Sequence, residues 1–151
     1  MPINVRTKGQ TGEREVAKIL NDIVNEQREL WGYPELAVED YYFQRNQNQS
    51  AVGGDDLTSP MPLAFEVKRQ EKLSVNTWWK QCTASANRTG YIPILIYRQN
   101  RKPWKVRMYA TIPVEVSGYR GALYNNPVEL DLDTFKAWFT EYTKRWLLHH
   151  A

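Results

Sequence analysis

Apolar residues recur at helical spacing in three stretches of the chain and alternate along shorter ones between them. From Gly9 to Trp31, Val16, Ala17, Ile19, Leu20, Ile23 and Val24 fall on one helical face. Thr11 is placed to cap this helix, and Glu13 and Glu15 stand in its first turn, where the helix dipole favours acids. Gly32 and Pro34 end it. Tyr41 to Arg45 is β-prone, and Gln44 to Asp55 is a polar, Gly-containing loop. Leu63 to Arg69 alternates as a strand does. Ser74 to Asn87 reads as a second helix, with Val75, Trp78, Trp79, Cys82 and Ala86 on one face and Gly90 closing it. Tyr91 to Arg98 is apolar on both faces, as an interior strand is, although Pro93 fits such a strand poorly. Arg107 to Ile112 and Val114 to Val116 read as further strands. Asp133 starts a last helix carrying Phe135, Trp138, Phe139, Tyr142 and Trp146, with a frayed end from Leu147 to Ala151. This order predicts an α/β fold, a central mixed β-sheet flanked by helices.

Length and composition narrow the class. At 151 residues and 42% apolar, the chain suffices for one domain with its own core. A single cysteine, Cys82, excludes an internal disulfide framework and a multi-cysteine zinc site. No apolar run approaches the roughly 18 residues that span a bilayer, and polar Met1 to Gln10 does not read as a secretory signal. The expectation is a cytoplasmic protein without a membrane partner.

Charge is segregated. From Val67 to Arg107 there are ten Lys and Arg against one acid, Glu71, giving +9 in a chain whose total is only +3. Such a basic segment suits a polyanion, most often nucleic acid, although a solvated face would have the same composition.

The candidate chemistry lies in Gly54-Asp55-Asp56-Leu57, followed by Glu66-Val67-Lys68 with nine residues between Asp56 and Glu66. On a strand, Ala64, Glu66 and Lys68 share one face while Leu63, Phe65 and Val67 take the other. Ser59-Pro60-Met61-Pro62 allows the Asp56 segment to run back beside that strand, bringing Asp56 close to Glu66. Two neighbouring carboxylates repel unless a cation lies between them, and hard oxygen ligands suit Mg²⁺ or Mn²⁺. A surface Glu-Lys pair on an edge strand is the plainer alternative.

Asp…Glu-x-Lys on a hairpin is the pattern of the PD-(D/E)XK nuclease superfamily. Lys8-Gly9-Gln10-Thr11-Gly12-Glu13-Arg14 further resembles the start of archaeal Hjc-type Holliday junction resolvases, and the likeness covers Lys8 to Ile96; phage-encoded resolvases belong to the same superfamily. The resemblance implies a restriction-endonuclease-like core and a Mg²⁺-dependent endodeoxyribonuclease, with Mn²⁺ able to substitute. It implies metal ligands at Glu13, Asp56 and Glu66, with the Val67 carbonyl, and a charge-stabilising, water-positioning role for Lys68. Family members place an apolar residue after the ligand Asp, as Asp56-Leu57 does, which leaves Asp55 a supporting or turn residue. Helix geometry agrees for Glu13, which falls at the head of the Val16, Ala17, Leu20 and Val24 arc, while Glu15 falls on the polar side as a solvated acid. As a plain first-turn acid, Glu13 would be worth at most about 1 kcal/mol.

DNA would be held through phosphates. Arg69 and Lys72 follow the catalytic strand, and Arg6 and Lys8 form an arm before the first helix. Arg14 could reach a phosphate or brace Glu13, and Gln81 lies on the flank of the second helix's apolar stripe. Arg98, Arg101, Lys102, Lys105 and Arg107 form an acid-free run turning near Asn100 to Pro103. Trp104 is either packed or stacked on DNA, and Trp78 and Trp79 either both reach the core or leave one at a dimer surface. Four-way junctions carry pseudo-twofold symmetry, so branched DNA implies a homodimer. The alternatives are a restriction-like or repair nuclease on other DNA, or a non-catalytic DNA-binding module.

Overall fold

The computed structural model describes residues 5–47, 55–114 and 122–150. Helix α1 runs Val5–Leu30. It starts earlier than Thr11, so Thr11 lies inside the helix rather than at its cap, and Glu13 and Glu15 lie beyond its first turn; Arg6 and Lys8 lie on the helix rather than in an arm, and the Lys8 side chain is outside the described residues. Glycine at position 12 costs helix propensity, but the approach there is close. A Cβ on Gly12 would stand 3.2 Å from Arg69 Cβ and 3.5 Å from the Trp104 ring. At the other end Gly32, with φ +77°, lets Tyr33 N–H reach the Arg28 carbonyl and its own N–H reach that of Glu29.

Four strands form the main sheet in the order β3-β4-β5-β6. β3 (Leu63–Gln70) and β4 (Ile92–Gln99) are parallel, connected through α2 (Val75–Thr89). β5 (Lys105–Val114) and β6 (Ala122–Asp131) continue antiparallel. A two-stranded piece, β1 (Gln44–Arg45) with β2 (Leu57–Thr58), adjoins β3. α1 and α3 (Leu132–His150) cover one face and α2 the other, which is the mixed, helix-flanked sheet expected.

Three local expectations are corrected. β5 is one continuous strand to Val114, and residues 115–121, which include the rest of the predicted Val114 to Val116 strand, lie outside the described set, as do residues 48–54 of the predicted loop. β6 had no apolar alternation to announce it; as the last strand of the sheet it tolerates Asn125, Asn126 and Pro127. The last helix does not fray at Leu147, which is buried, and its cap is Asp131, whose Oδ1 accepts from Thr134 N–H at 2.7 Å. Pro93 is accommodated because Ile92 N–H donates toward the β3 side, to the Pro62 carbonyl. The missing N–H of Pro93 therefore falls on the other side, where pairing to β5 begins only at Ile94.

The core lies between the sheet and α1 with α3. Leu63, Phe65 and Val67 meet Val16, Leu20, Phe43 and Phe139 there, with Phe43 edge-on to both Phe65 and Phe139 at 5.5 and 5.7 Å. A smaller cluster of Trp78, Cys82, Leu95 and Tyr97 lies under α2. Trp79 turns its edge to Tyr109 at 5.3 Å. Buried Asn21 clamps the chain entering β1: its Nδ2 donates to the Phe43 carbonyl at 2.8 Å and its Oδ1 accepts from Phe43 N–H at 2.9 Å. Asn21→Ala leaves both groups unpaired, so it should cost about 2–4 kcal/mol. A urea titration checks this, and a loss under about 1 kcal/mol would show that the clamp is not needed.

Candidate active site

The edge of β3 places the acids. Asp56 N–H donates to the Phe65 carbonyl at 2.9 Å, so the segment before β2 returns along β3 as a hairpin. The Asp56 carboxylate then accepts from Val67 N–H at 2.7 Å. A strand residue turns its N–H and C=O to the same side, so the Val67 carbonyl also faces the Asp56 edge. One residue earlier, Glu66 is the register partner of Leu95 and sits with it under α2. Lys68 Nζ lies 3.4 Å from Glu66 Oε1. Asp55 is braced from the helix above, accepting from Ser85 Oγ at 2.8 Å, and its carbonyl accepts from Asn46 Nδ2.

Asp56 and Glu66 are each only 9% exposed. Burial, first, and then the neighbouring charges of Asp56 and Asp55 push the Glu66 carboxyl up to about 7, against the opposing pull of Lys68. The Cys82 thiol beneath them is pushed up as well, by burial and then by Glu66, Asp55 and Asp56, so it is not a thiolate nucleophile. Two buried carboxylates that repel each other, beside an outward-facing carbonyl, are a hard-oxygen donor set. Mg²⁺ is commonly held by one or two carboxylates with waters and substrate phosphates completing its shell, so these residues fit such an ion.

Glu13 is not gathered into this group, and among the described residues no three His, Cys, Asp or Glu side chains are grouped to hold one metal ion. Its carboxylate, 14% exposed, is turned inward as the helix arc predicts, but it accepts from Arg45 Nε at 2.8 Å. The brace on Glu13 is therefore Arg45, and Arg14 is exposed on the rim of a cavity of about 550 Å³ that Arg45 also lines. Glu15 is not the solvated acid expected: its two oxygens take Arg69 at 2.8 Å and Arg98 at 3.3 Å. Arg69 consequently braces α1 against the sheet instead of standing free beside the site. Trp104 is buried under the Arg98 guanidinium, 5.4 Å from it, which excludes stacking on a base. Lys72, Gln81, Arg101 and Lys102 are exposed.

Two participants were not singled out in the sequence, though each left a signal there. Arg45 shares the strand face of Phe43, which points to α1, and Ser85 interrupts the Cys82–Ala86 apolar stripe. The raised Glu66 pKa also sets a pH dependence. With the folded value near 7 above the ordinary 4.5, ionised Glu66 destabilises the fold increasingly as pH rises through that window. In metal-free buffer near pH 8, Glu66→Gln should therefore be more stable than the wild type by on the order of 3 kcal/mol, with the difference gone near pH 4. Denaturant midpoints of the two proteins at both pH values check this; a variant less stable near pH 8 would contradict it.

No helix among the described residues is long and apolar enough to cross a membrane. No curated protein and no solved structure matches the chain. The sequence pattern of a family described as "Phage putative PDDEXK endonuclease" matches residues 4–149, nearly the whole chain, including the Asp56 and Glu66-x-Lys68 hairpin. With that match and this hairpin geometry, the chain belongs to the phage PDDEXK endonuclease family of the PD-(D/E)XK superfamily.

Proposed function

We propose that this endonuclease resolves four-way DNA junctions by Mg²⁺-dependent phosphodiester hydrolysis, with Mn²⁺ able to substitute, in the host cytoplasm. The observation that carries the reading is the buried Asp56–Glu66 pair beside Lys68, since two repelling acids whose charge one amine offsets only in part suit an ion and a phosphate together. Asp56, Glu66 and the Val67 carbonyl would hold the ion, and Glu13 would join them only if it left Arg45. The ion supplies Lewis acidity toward the scissile phosphate and its attacking water. Lys68, whose amine lies beside Glu66, positions that water and offsets charge developing on the phosphate. The Asp56 carboxylate is kept in place by Val67 N–H.

Junction preference is supported by the likeness of Lys8 to Arg14 to resolvase N-termini. A twofold-symmetric substrate calls for a homodimer. DNA contacts are assigned to the exposed Arg14, Lys72, Gln81, Arg101 and Lys102, and to Lys8 on the first turns of α1. Glu66→Ala should lower Mg²⁺-dependent cleavage of a synthetic four-way junction at least about 100-fold with its circular dichroism unchanged. Full activity of that variant would remove this site from the reaction. Cleavage of linear duplex as fast as the junction at equal salt would replace the resolvase reading with a general nuclease.

A further inference from the structure

We propose that a small pocket at the end of the sheet, beyond the candidate active site, holds a backbone phosphate of the DNA. The pocket measures about 310 Å³ and lies between the segment leaving β3 and the turn joining β4 to β5. Arg98, Lys102 and Lys105 line it together with Tyr97, Gln99 and Leu73, and no acidic residue is among the lining residues. Lys102 and Lys105 bring two exposed amines to this concavity, whereas the Arg98 guanidinium turns to the α1 side, and a phosphate diester is the anion that the proposed substrate brings there.

The backbone that carries the two lysines is fixed. Arg98 is fixed from the α1 side by Glu15 at 3.3 Å and by the Trp104 ring. The turn is tight: Lys102 N–H donates to the Gln99 carbonyl at 3.0 Å, and Arg101 takes a positive φ of 62°. Gln99 Nε2 donates to the Glu71 carbonyl at 2.9 Å, tying the ends of the two parallel strands together. Among the described residues neither Lys102 nor Lys105 makes an ion pair. The carboxylate that Lys105 influences, Glu129, is already bonded to Tyr97 and Arg107.

Position argues for a DNA strand over a free anion. Lys68 pairs in register with Tyr97, a lining residue, so the pocket begins on the neighbouring strand about 5 Å across the sheet from Lys68 and extends past Gln99. A strand whose scissile phosphate lies at Lys68 passes this point, and Leu73, an exposed apolar side chain, offers a surface to a sugar. The inference rests on the nuclease reading, and its test is kept separate from cleavage.

Lys102→Gln with Lys105→Gln removes two exposed charges, and Lys144→Gln with Arg145→Gln on α3 removes two elsewhere as the control. Binding of a fluorescent duplex is measured in EDTA across a salt series. The pocket variant should bind about tenfold more weakly at low salt, and its log–log salt slope should fall by about one, while the control keeps the wild-type slope. An unchanged slope in the pocket variant, or an equal fall in the control, would overturn the proposal. So would saturable binding of inorganic phosphate that depends on the two lysines while the duplex slope does not, since that assigns the pocket to a free anion. A wild type that binds in this way yet cleaves no DNA with Mg²⁺ or Mn²⁺ would overturn the nuclease reading alone.

Discussion

The hydrogen bond from Val67 N–H to the Asp56 carboxylate is the contact on which the site depends. A carboxylate in that position does two things at once. It satisfies a backbone donor at the edge of β3, and it brings its charge against Glu66, the preceding residue on that strand. The cost is considerable, since both acids are nearly buried and Asp55 adds a third charge nearby. Lys68 offsets only part of it. A fold that keeps such an arrangement retains electrostatic strain of the kind that a cation relieves, and functional sites are where strain of this kind collects.

The rest of the molecule serves to hold that edge. α1 lies close on the sheet because Gly12 has no side chain to separate it from Arg69 and Trp104. Glu15 then locks the helix to two neighbouring strands through Arg69 and Arg98, which are register partners. Asn21 fastens the segment that carries Arg45, and Arg45 in turn takes Glu13. On the opposite face, Ser85 of α2 steadies Asp55 behind the acid pair. Much of the basic charge near the site is thus spent internally, while among the described residues Lys102 and Lys105 at the β4–β5 turn and Lys72 after β3 make no ion pair.

Strong periodicity made the elements that bury the most apolar surface legible. The α1 and α2 stripes and the alternation of β3 could all be read directly, and the hairpin returning Asp56 to β3 followed from the Pro-rich turn. What escaped was decided by tertiary contact. β6 is half-exposed and polar, so its pairing with β5 left no pattern of its own. Glu15 looks like a surface acid on the helix alone, because its partners arrive from strands 54 and 83 residues away. Arg45 and Ser85 were visible in principle, one by strand alternation after Phe43 and the other by its place in a helical stripe, but a single polar residue in such a pattern does not announce its partner. Glu13 shows the same limit: its inward direction is a local property, whereas its engagement by Arg45 is not.

The central claim is that Asp56 and Glu66 share one divalent cation. Calorimetric titration of Mn²⁺ into the DNA-free protein tests it directly. The wild type should bind one ion saturably, and Asp56→Asn and Glu66→Gln should each weaken that binding at least about tenfold while remaining folded. Mn²⁺ affinity unchanged in both variants would contradict the account.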